Sequence, residues 1–449
     1  MAFFEMTDQT GAVRPCYAEV QRWIDEVGIE RLNARLKEAE TIFRRIGITF
    51  AVYGEGGDPE RLIPFDLLPR VFSGAEWRTL DRGIRQRAQA LNAFIYDVYH
   101  RGEIIRAGIV PGELVYRNRA FLPEMIGFDP PGGVYSHIVG IDIIRTGEGG
   151  FQVLEDNCRT PSGVSYMLEN REIMQRMFPE LFGSTRVAPV DSYPNDLLAT
   201  LKEVAPPGAR SDPTVVVLTP GPFNSAYYEH SFLADLMGVE LVEPMDLYVD
   251  EDKVWMKTTH GPKRVDVIYR RIDDDFIDPL TFRPDSMLGV PGLFCAYRAG
   301  GVTLCSAPVA GIADDKAIYL FVPEMIRFYL SETPILENVP TWRCALPDEC
   351  AHVLENLDQL VAKEVHGSGG YGMLIGPKAT RAEVAAYADR IRADPADFIA
   401  QPTLDLSTAP VLGQKEIVGR HVEFRPYCLV GKRMRLVPRG LTRVALTEG

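Results

Sequence analysis

Residues 140 to 163 of this 449-residue chain read GIDIIRTGEGGFQVLEDNCRTPSG. Glycines 147, 149 and 150 mark a turn between two strands. With Gly147 to Gly150 as the loop, Thr146 pairs with Phe151, and the antiparallel register then sets Asp142 opposite Glu155. Side chains alternate along a strand, so Asn157 joins Glu155 on one face while Asp156 points away. The expected cluster is Asp142, Glu155 and Asn157. Two carboxylates and an amide oxygen are hard ligands, few in number, as magnesium carrying substrate phosphates requires. The same residues also suit an exposed hairpin with a wet polar face, and the hairpin alone leaves both readings open.

The chain is 46% hydrophobic and 24% charged, an ordinary globular composition with length for two or three domains and a buried core. No apolar run approaches the roughly 20 residues that cross a bilayer. The opening MAFFEMTDQT carries acidic residues and no basic leader before an apolar stretch. A cytoplasmic protein that does not enter a membrane is expected. The formal charge of −14 argues against nucleic acid as a partner, because neutralising phosphates needs clustered Lys and Arg. Seven cysteines (16, 158, 295, 305, 344, 350 and 428) are odd in number and lack a CxxC pair, which favours reduced thiols over disulfides or a zinc site. Cys158 lies at the end of the hairpin, but no histidine is local to activate it, so it reads as a small packed hydrophobe. No repeat or low-complexity tract emerges.

Residues 1–130 read as mostly helical, with apolar positions every three or four residues through Val20 to Phe43 and again through Trp77 to Val98. Between them RLIPFDLLPR carries Pro64 and Pro69, which interrupt a continuous helix. The hairpin belongs to a stretch, 131–205, that continues through PSGVSYMLENREIMQRMF, an amphipathic helix with Met167, Ile173, Met174 and Met177 inward. PPGARSDP, residues 206 to 213, is the best internal boundary. Beyond it TVVVLTPGP, SAYYEHSFLADLMG and VELVE form a βαβ unit, and VDVIYRRIDDDF and GVTLCSAP add strand and loop pieces. Residues 212–310 therefore predict an α/β layer with ligands at the carboxyl ends of its strands. In the last stretch, 311–449, Lys316 starts a helical segment, and Lys363 ends a short apolar strand before Gly367, Ser368, Gly369, Gly370, Tyr371 and Gly372. Such a loop can bring backbone N–H groups close to anionic oxygens and close over a nucleotide. It matches neither the P-loop nor the GxGxxG pattern, and glycine-rich turns are often structural.

Together these pieces resemble the ATP-grasp superfamily, and within it the circularly permuted members described as glutathionylspermidine synthase-like or as carboxylate-amine ligases. The resemblance covers almost the whole chain and rests on LEDNCRTPSGVSYMLENR, TPGPFNSAYYEH, VDVIYRRIDDDFIDPL, ADDKAIY and RHVEFRP. In ordinary ATP-grasp ligases such as glutathione synthetase, the α/β substrate domain comes first, followed by two lysines, a glycine-rich loop, an adenine hinge and the metal hairpin. Here the hairpin comes first. The resemblance implies an α/β circularly permuted ATP-grasp fold with a mostly helical N-terminal segment, using ATP and Mg2+. It implies Asp142, Glu155 and Asn157 as metal ligands, Lys316 and Lys363 as nucleotide-binding lysines, and the Gly367 to Gly372 loop as a lid. Gln401 falls in the adenine hinge, Ala400 to Leu404. Arg425 and Arg443 stand where the family's arginines bridge the γ-phosphate and the acyl group, and Arg159 is a further candidate. Glu423 is set aside as a local partner of Arg425, being read as too adjacent and opposite-facing.

The implied reaction joins a small-molecule or peptide carboxylate to an amine through an acyl phosphate. A phosphotransferase built on the same nucleotide site, and a nucleotide-binding protein without turnover, are the alternatives. Substrate contacts are expected at Pro161 to Tyr166 and at Gly221 to Tyr228. A homodimer is the base-rate expectation. SAPVAG, before ADDK, departs from the asparagine- and glycine-containing form usual in the pattern. The chain stops at LTEG, where relatives usually continue through a Ser- and Gly-rich tail, which implies a shortened form or a fragment.

Overall fold

The hairpin forms from strands Ile138–Arg145 and Phe151–Asn157, but its turn is wider than the glycines suggest. Arg145, not Thr146, pairs with Phe151, and the Thr146 N–H donates to the Gly150 carbonyl at 3.1 Å. A bulge then restores the register, because Ile143 faces Val153 while Asp142 faces Glu155, leaving Leu154 as the extra residue. Two local departures cancel, and the carboxylates end up opposite one another. Asp156 points the other way, where Arg87 grips it with two hydrogen bonds of 2.6 and 2.7 Å.

The computed structural model describes residues 2–46, 49–51, 60–62, 65–222, 224–366 and 372–445. Pro64, Phe223, five of the six lid positions (Gly367, Ser368, Gly369, Gly370 and Tyr371) and the terminal LTEG lie outside them. The fold is mixed α/β. The hairpin lies within a six-stranded sheet, in the order Glu337–Asn338, Phe151–Asn157, Ile138–Arg145, Ile417–Val430, Thr408–Leu412, with Met434–Val444 also paired to Ile417–Val430. Strands from the beginning and the end of the chain are thus direct neighbours: Phe424 pairs with Ile143, and Tyr427 with Gly140.

Against this sheet lies the helix Gly74–Tyr99, which carries Arg87 and buries Leu80, Ile84, Leu91, Phe94 and Val98 at helical spacing. Ser73 and Glu76 form a reciprocal capping box at its start. The other long helix expected in this region is two helices. Gly28, at φ 78°, ends Ala18–Val27 before Ile29–Ile46 begins, a left-handed backbone position that glycine adopts without steric cost. Val164–Met177 is one helix, with Met167, Ile173 and Met174 buried and Met177 half-buried. Among the described residues no helix is long and apolar enough to cross a membrane. All seven cysteines are free thiols.

Residues 206–213 run as loop into a four-stranded parallel sheet, ordered Thr303–Cys305, Val267–Arg270, Val215–Leu218, Glu240–Val242, with helix Tyr227–Met237 as a crossover. The stretch 311–449 contributes to two sheets: the hairpin sheet, and a separate antiparallel sheet ordered Trp342–Arg343, Phe398–Pro402, Leu360–Glu364, Leu374–Ile375. That second sheet has its own apolar core, including Val353, Leu360, Ala362, Tyr387, Ile391 and Phe398. A small cluster of Ala317, Val365 and Ile399 joins it to the segment carrying Lys316. One continuous core unites the hairpin sheet, the long helix and the parallel sheet.

Candidate functional site

Three adjacent strands place Asp142, Arg425 and Arg443 on one face. Phe424 pairs with Ile143, and Glu423 with Arg443, so the odd-numbered side chains of Ile417–Val430 lie over Asp142. Arg425 donates from Nε and Nη2 to the two oxygens of Asp142, and Arg443 Nη2 donates to Asp142 Oδ2 at 2.6 Å. Arg443 also pairs with Glu423. Here the sequence reading of Glu423 is corrected: residues two apart on a strand share a face, and Glu423 joins the cluster. The Arg425 side chain runs across Gly140, where a Cβ would stand 3.5 Å from Arg425 Cδ and 2.9 Å from Pro161 Cβ.

The lysines arrive from the other side. Lys316 Nζ is 3.8 Å from Glu155 Oε2, and Arg425 Nη2 is 3.7 Å from Glu155 Oε1. Lys363, next to the end of its strand, donates to Gln401 Oε1 at 2.8 Å, and Gln401 Nε2 donates to Thr341 Oγ1 at 3.0 Å. The pairing of Lys363 with Ile399 and of Val361 with Gln401 aims these side chains into the same space. Lys363 feels the charges of both Glu155 and Lys316. Asp142, Glu155, Lys316, Lys363, Gln401, Arg425 and Arg443 therefore converge. Of the lid, only Gly372 is described. It has φ 71°, its carbonyl accepts from Tyr387 Oη at 2.6 Å, and a Cβ there would strike the Glu364 carboxylate.

Burial would lift the Asp142 carboxyl, but hydrogen bonds and charge from Arg425, with Arg443, pull it down to about 2. Glu155 is raised by burial and by the Asp142 charge, against the attraction of Lys316. Glu423 is pushed up to about 8, first by burial and then by Asp142. Burial lowers Lys363, partly offset by Glu155. Among the described residues four cationic side chains thus face three carboxyl groups, and burial holds Glu155 and Glu423 on one side and Lys363 on the other toward their neutral forms.

Among the described residues no three His, Cys, Asp or Glu side chains group as a ready-made metal cage, but magnesium carrying phosphate oxygens needs only one or two carboxylates. The donor set fits that role. Glu155 meets Lys316 and Arg425 at 3.8 and 3.7 Å, longer than hydrogen bonds, Asn157 lies on its face with an amide oxygen as the candidate ligand, and Asp142 has spent three of its roughly four acceptor positions on arginines.

Arg159 does not join this cluster. It turns to Asp273, at 3.2 Å, and Asp314, at 3.8 Å. Cys158 is fully buried and its thiol is pushed up by burial, as suits a packing residue. The turn Thr160–Gly163 is held from below: Glu229 Oε2 accepts from the Gly163 and Ser165 N–H groups at 2.7 and 3.1 Å. Glu229 in turn pairs with Arg271 at 3.3 Å, and Arg271 donates to the Pro161 carbonyl at 3.0 Å. A cavity of about 220 Å3 adjoins this turn, lined among others by Ser162, Asn224 and Ala226 from the two segments where substrate contacts are expected. Arg271, Glu229 and Glu423 escaped sequence reading. For Glu423 the signal was the strand's two-residue period; for Arg271 and Glu229 nothing local marks the pairing, since 42 residues separate them.

The family described as Circularly permuted ATP-grasp type 2 matches residues 69–445. An uncharacterized Synechocystis protein is 50% identical over 98% of this chain and 91% of its own length, and an uncharacterized Mycobacterium tuberculosis protein is 50% identical over 100% of this chain and 81% of its own. A Frankia alni protein provisionally named glutamate–cysteine ligase 2-3 is 42% identical over 98% of this chain, which spans about half (51%) of that protein's length. Among solved structures, a glutathione synthetase-like effector from Globodera pallida superposes with a TM-score of 0.59 over 92% of each chain at 12% identity, a likeness of fold.

Proposed function

This chain belongs to the circularly permuted ATP-grasp family, type 2, and on that footing we propose that it is an ATP-dependent ligase joining a carboxylate to an amine through an acyl phosphate. The observation that carries the reading is the convergence of Lys316, Lys363, Arg425 and Arg443, four cationic side chains, on a cleft where the described residues place three carboxyl groups, Asp142, Glu155 and Glu423. Such a cleft favours a polyanion, and a triphosphate supplies one. The name of the Frankia relative agrees with a ligase.

In this reading Lys316 and Lys363 hold the nucleotide phosphates, with Gln401 fixing the Lys363 ammonium. Arg425 and Arg443 offset the repulsion between the substrate carboxylate and the γ-phosphate, a task suited to planar, permanently charged forks. Glu155 and Asn157, with the remaining lone pair of Asp142, would hold Mg2+, which supplies charge neutralisation on the phosphates when bound. The carboxylate oxygen attacks the γ-phosphorus and ADP departs. The amine nitrogen then bonds to the acyl carbon as the bond from that carbon to the phosphate oxygen breaks, and the surplus protons pass to carboxylate or water. The Gly367 to Gly372 loop, which begins four residues after Lys363 in the sequence, would exclude water from the acyl phosphate.

The test is ATP turnover by the purified chain across amino acids, peptides and amines. Phosphate release that needs both a carboxylate and an amine is expected, and a stable phosphorylated product would instead establish a phosphotransferase. Glu155→Gln should reduce turnover by about 10²-fold or more with the fold intact by circular dichroism, in line with the loss of a metal or transition-state contact; undiminished turnover would refute the metal assignment.

A further inference from the structure

Lys316 and Lys363 meet in the cleft, yet they come from different units. Lys316 directly precedes residues of the continuous core, Ile318 and Tyr319, whereas Lys363 lies on a strand of the sheet with its own core. The two ammonium groups repel one another, and Glu155 draws both. A shared carboxylate does not fix the separation of two long, flexible side chains, so the backbones that carry them must be held. Three links cross between the units beside the lysines. The Lys316 N–H donates to the Val365 carbonyl at 3.5 Å, the far limit of a hydrogen bond. Ala317 packs with Val365 and Ile399, a small apolar contact. Asp315 Oδ2 stands 3.4 Å from His366 Nδ1.

Asp315 is the hub of this seam. Its side chain is buried, and each of its contacts fixes a different element. Oδ1 accepts from the Ala317 and Ile318 N–H groups at 2.7 and 3.0 Å, capping the helical turn that begins at Lys316. Oδ2 accepts from Asn118 Nδ2 at 2.7 Å, and Asn118 is anchored in turn, its Oδ1 accepting from the Ala120 N–H at 2.9 Å. Leu114, four residues before Asn118, packs on the cluster of Ala317, Val365 and Ile399. The N-terminal helical region therefore reaches the backbone of Lys316. On the far side, His366 follows Lys363 by three residues, and its neighbour Val365 donates to the Asp397 carbonyl at 2.8 Å. Among the described residues His366 is the only basic side chain paired with Asp315. Burial lifts the Asp315 carboxyl, and its N–H donors together with His366 pull it back. The imidazole also acts on the Asp397 carboxyl, so it stands between an aspartate of each unit.

We propose that Asp315 and His366 are positioning residues for nucleotide binding: as an ion pair across the seam they set the separation of Lys316 and Lys363, with Asn118 holding the carboxylate in place. The assignment rests on the ligase reading above and adds to it the device that keeps two mutually repelling lysines within reach of one polyphosphate. Neither residue touches the nucleotide. When the pair is broken the like charges move apart, and a polyphosphate held by one lysine loses the other.

The experiment is calorimetric titration of the full chain with ATP and Mg2+. His366→Leu removes the imidazole, His366→Gln keeps a polar donor without the charge, and His366→Arg keeps a cation. The His366 side chain is 42% exposed, so all three should fold, as circular dichroism checks. ATP affinity is expected to fall about tenfold in the Leu and Gln variants and to return to within about threefold of wild type in the Arg variant. Asp315→Asn should lose at least as much, and the double variant Asp315→Asn with His366→Leu no more than Asp315→Asn alone, as for two residues that act as one pair. Provided that the wild type binds ATP, unchanged affinity in His366→Leu, equal affinity in the Gln and Arg variants, or additive losses in the double variant overturn the positioning role alone. Failure of the wild-type chain to bind ATP overturns the ligase reading, and the positioning role with it.

Discussion

Individual side chains carry the sharpest expectations. Arg425 meets Asp142 through two N–H groups at once, a geometry that a lysine cannot reproduce. Arg425→Lys should therefore keep the charge and the fold but reduce ATP turnover by about 10²-fold, with a smaller change in ATP affinity; steady-state kinetics beside nucleotide titration separates the two. His137 offers a test of another kind. It is fully buried, neither ring nitrogen has a partner among the described residues, and burial with the nearby Arg270 charge pushes it down to about 3. A base with a lowered folded pKa supports the native state above its unfolded value of about 6.5, and that support drains as pH falls from there toward 3. The cost is about 1.4 kcal/mol per pH unit across that window. His137→Leu removes no hydrogen bond of the ring, so its denaturant midpoint should fall less steeply than that of the wild type between pH 6.5 and 4.

At the scale of elements, the start of helix Gly74–Tyr99 does more than cap itself. Glu76 completes the capping box with Ser73 and also pairs with Arg14 and the fully buried Arg145, tying the N-terminal segment and the hairpin to the helix. Ser73→Ala should cost about 1 kcal/mol, whereas Glu76→Ala should cost about 3 kcal/mol because it strands buried guanidinium groups. Thermal melts of the two variants rank them, and equal losses would show that the ion pairs add nothing. Gly140→Ala tests how the sheet meets the turn. Its Cβ would press on Pro161, 2.9 Å away, and on Arg425, so the variant should lose turnover by at least about tenfold while remaining folded. Elements also show where sequence reading was sound and where it slipped. The hairpin's two strands, the helix through Trp77 to Val98 and the βαβ unit were legible because each has an apolar period of its own. The bulge at Leu154 was not, since a bulge is set by how a strand fits its neighbours, and neither was the break at Gly28, where one glycine outweighs a continuous helical pattern.

For the whole molecule, the separate core of the sheet around Leu360–Glu364, joined to the rest through Ala317, Val365 and Ile399, predicts two thermal transitions rather than one. ATP with Mg2+ at a hundredfold excess over its Kd should stabilise the native state by about 2.7 kcal/mol and draw the transitions together, because the ligand would touch both units through Lys363 and Glu155. Scanning calorimetry with and without nucleotide reads this directly. The sequence by itself determined the local pieces: the acidic hairpin, the two lysines, the glycine-rich loop, the parallel α/β layer, and the order that resembles a permuted family. It could do so because periodicity, turn glycines and residue chemistry are properties of short stretches. Only the tertiary structure decided that Asp142 is clamped by Arg425 and Arg443, 283 and 301 residues away, that Glu423 stands with them, and that Arg159 turns aside to the aspartates of a neighbouring cavity. Such pairings depend on which strands lie side by side and which faces their side chains share, and no local stretch of the chain encodes that.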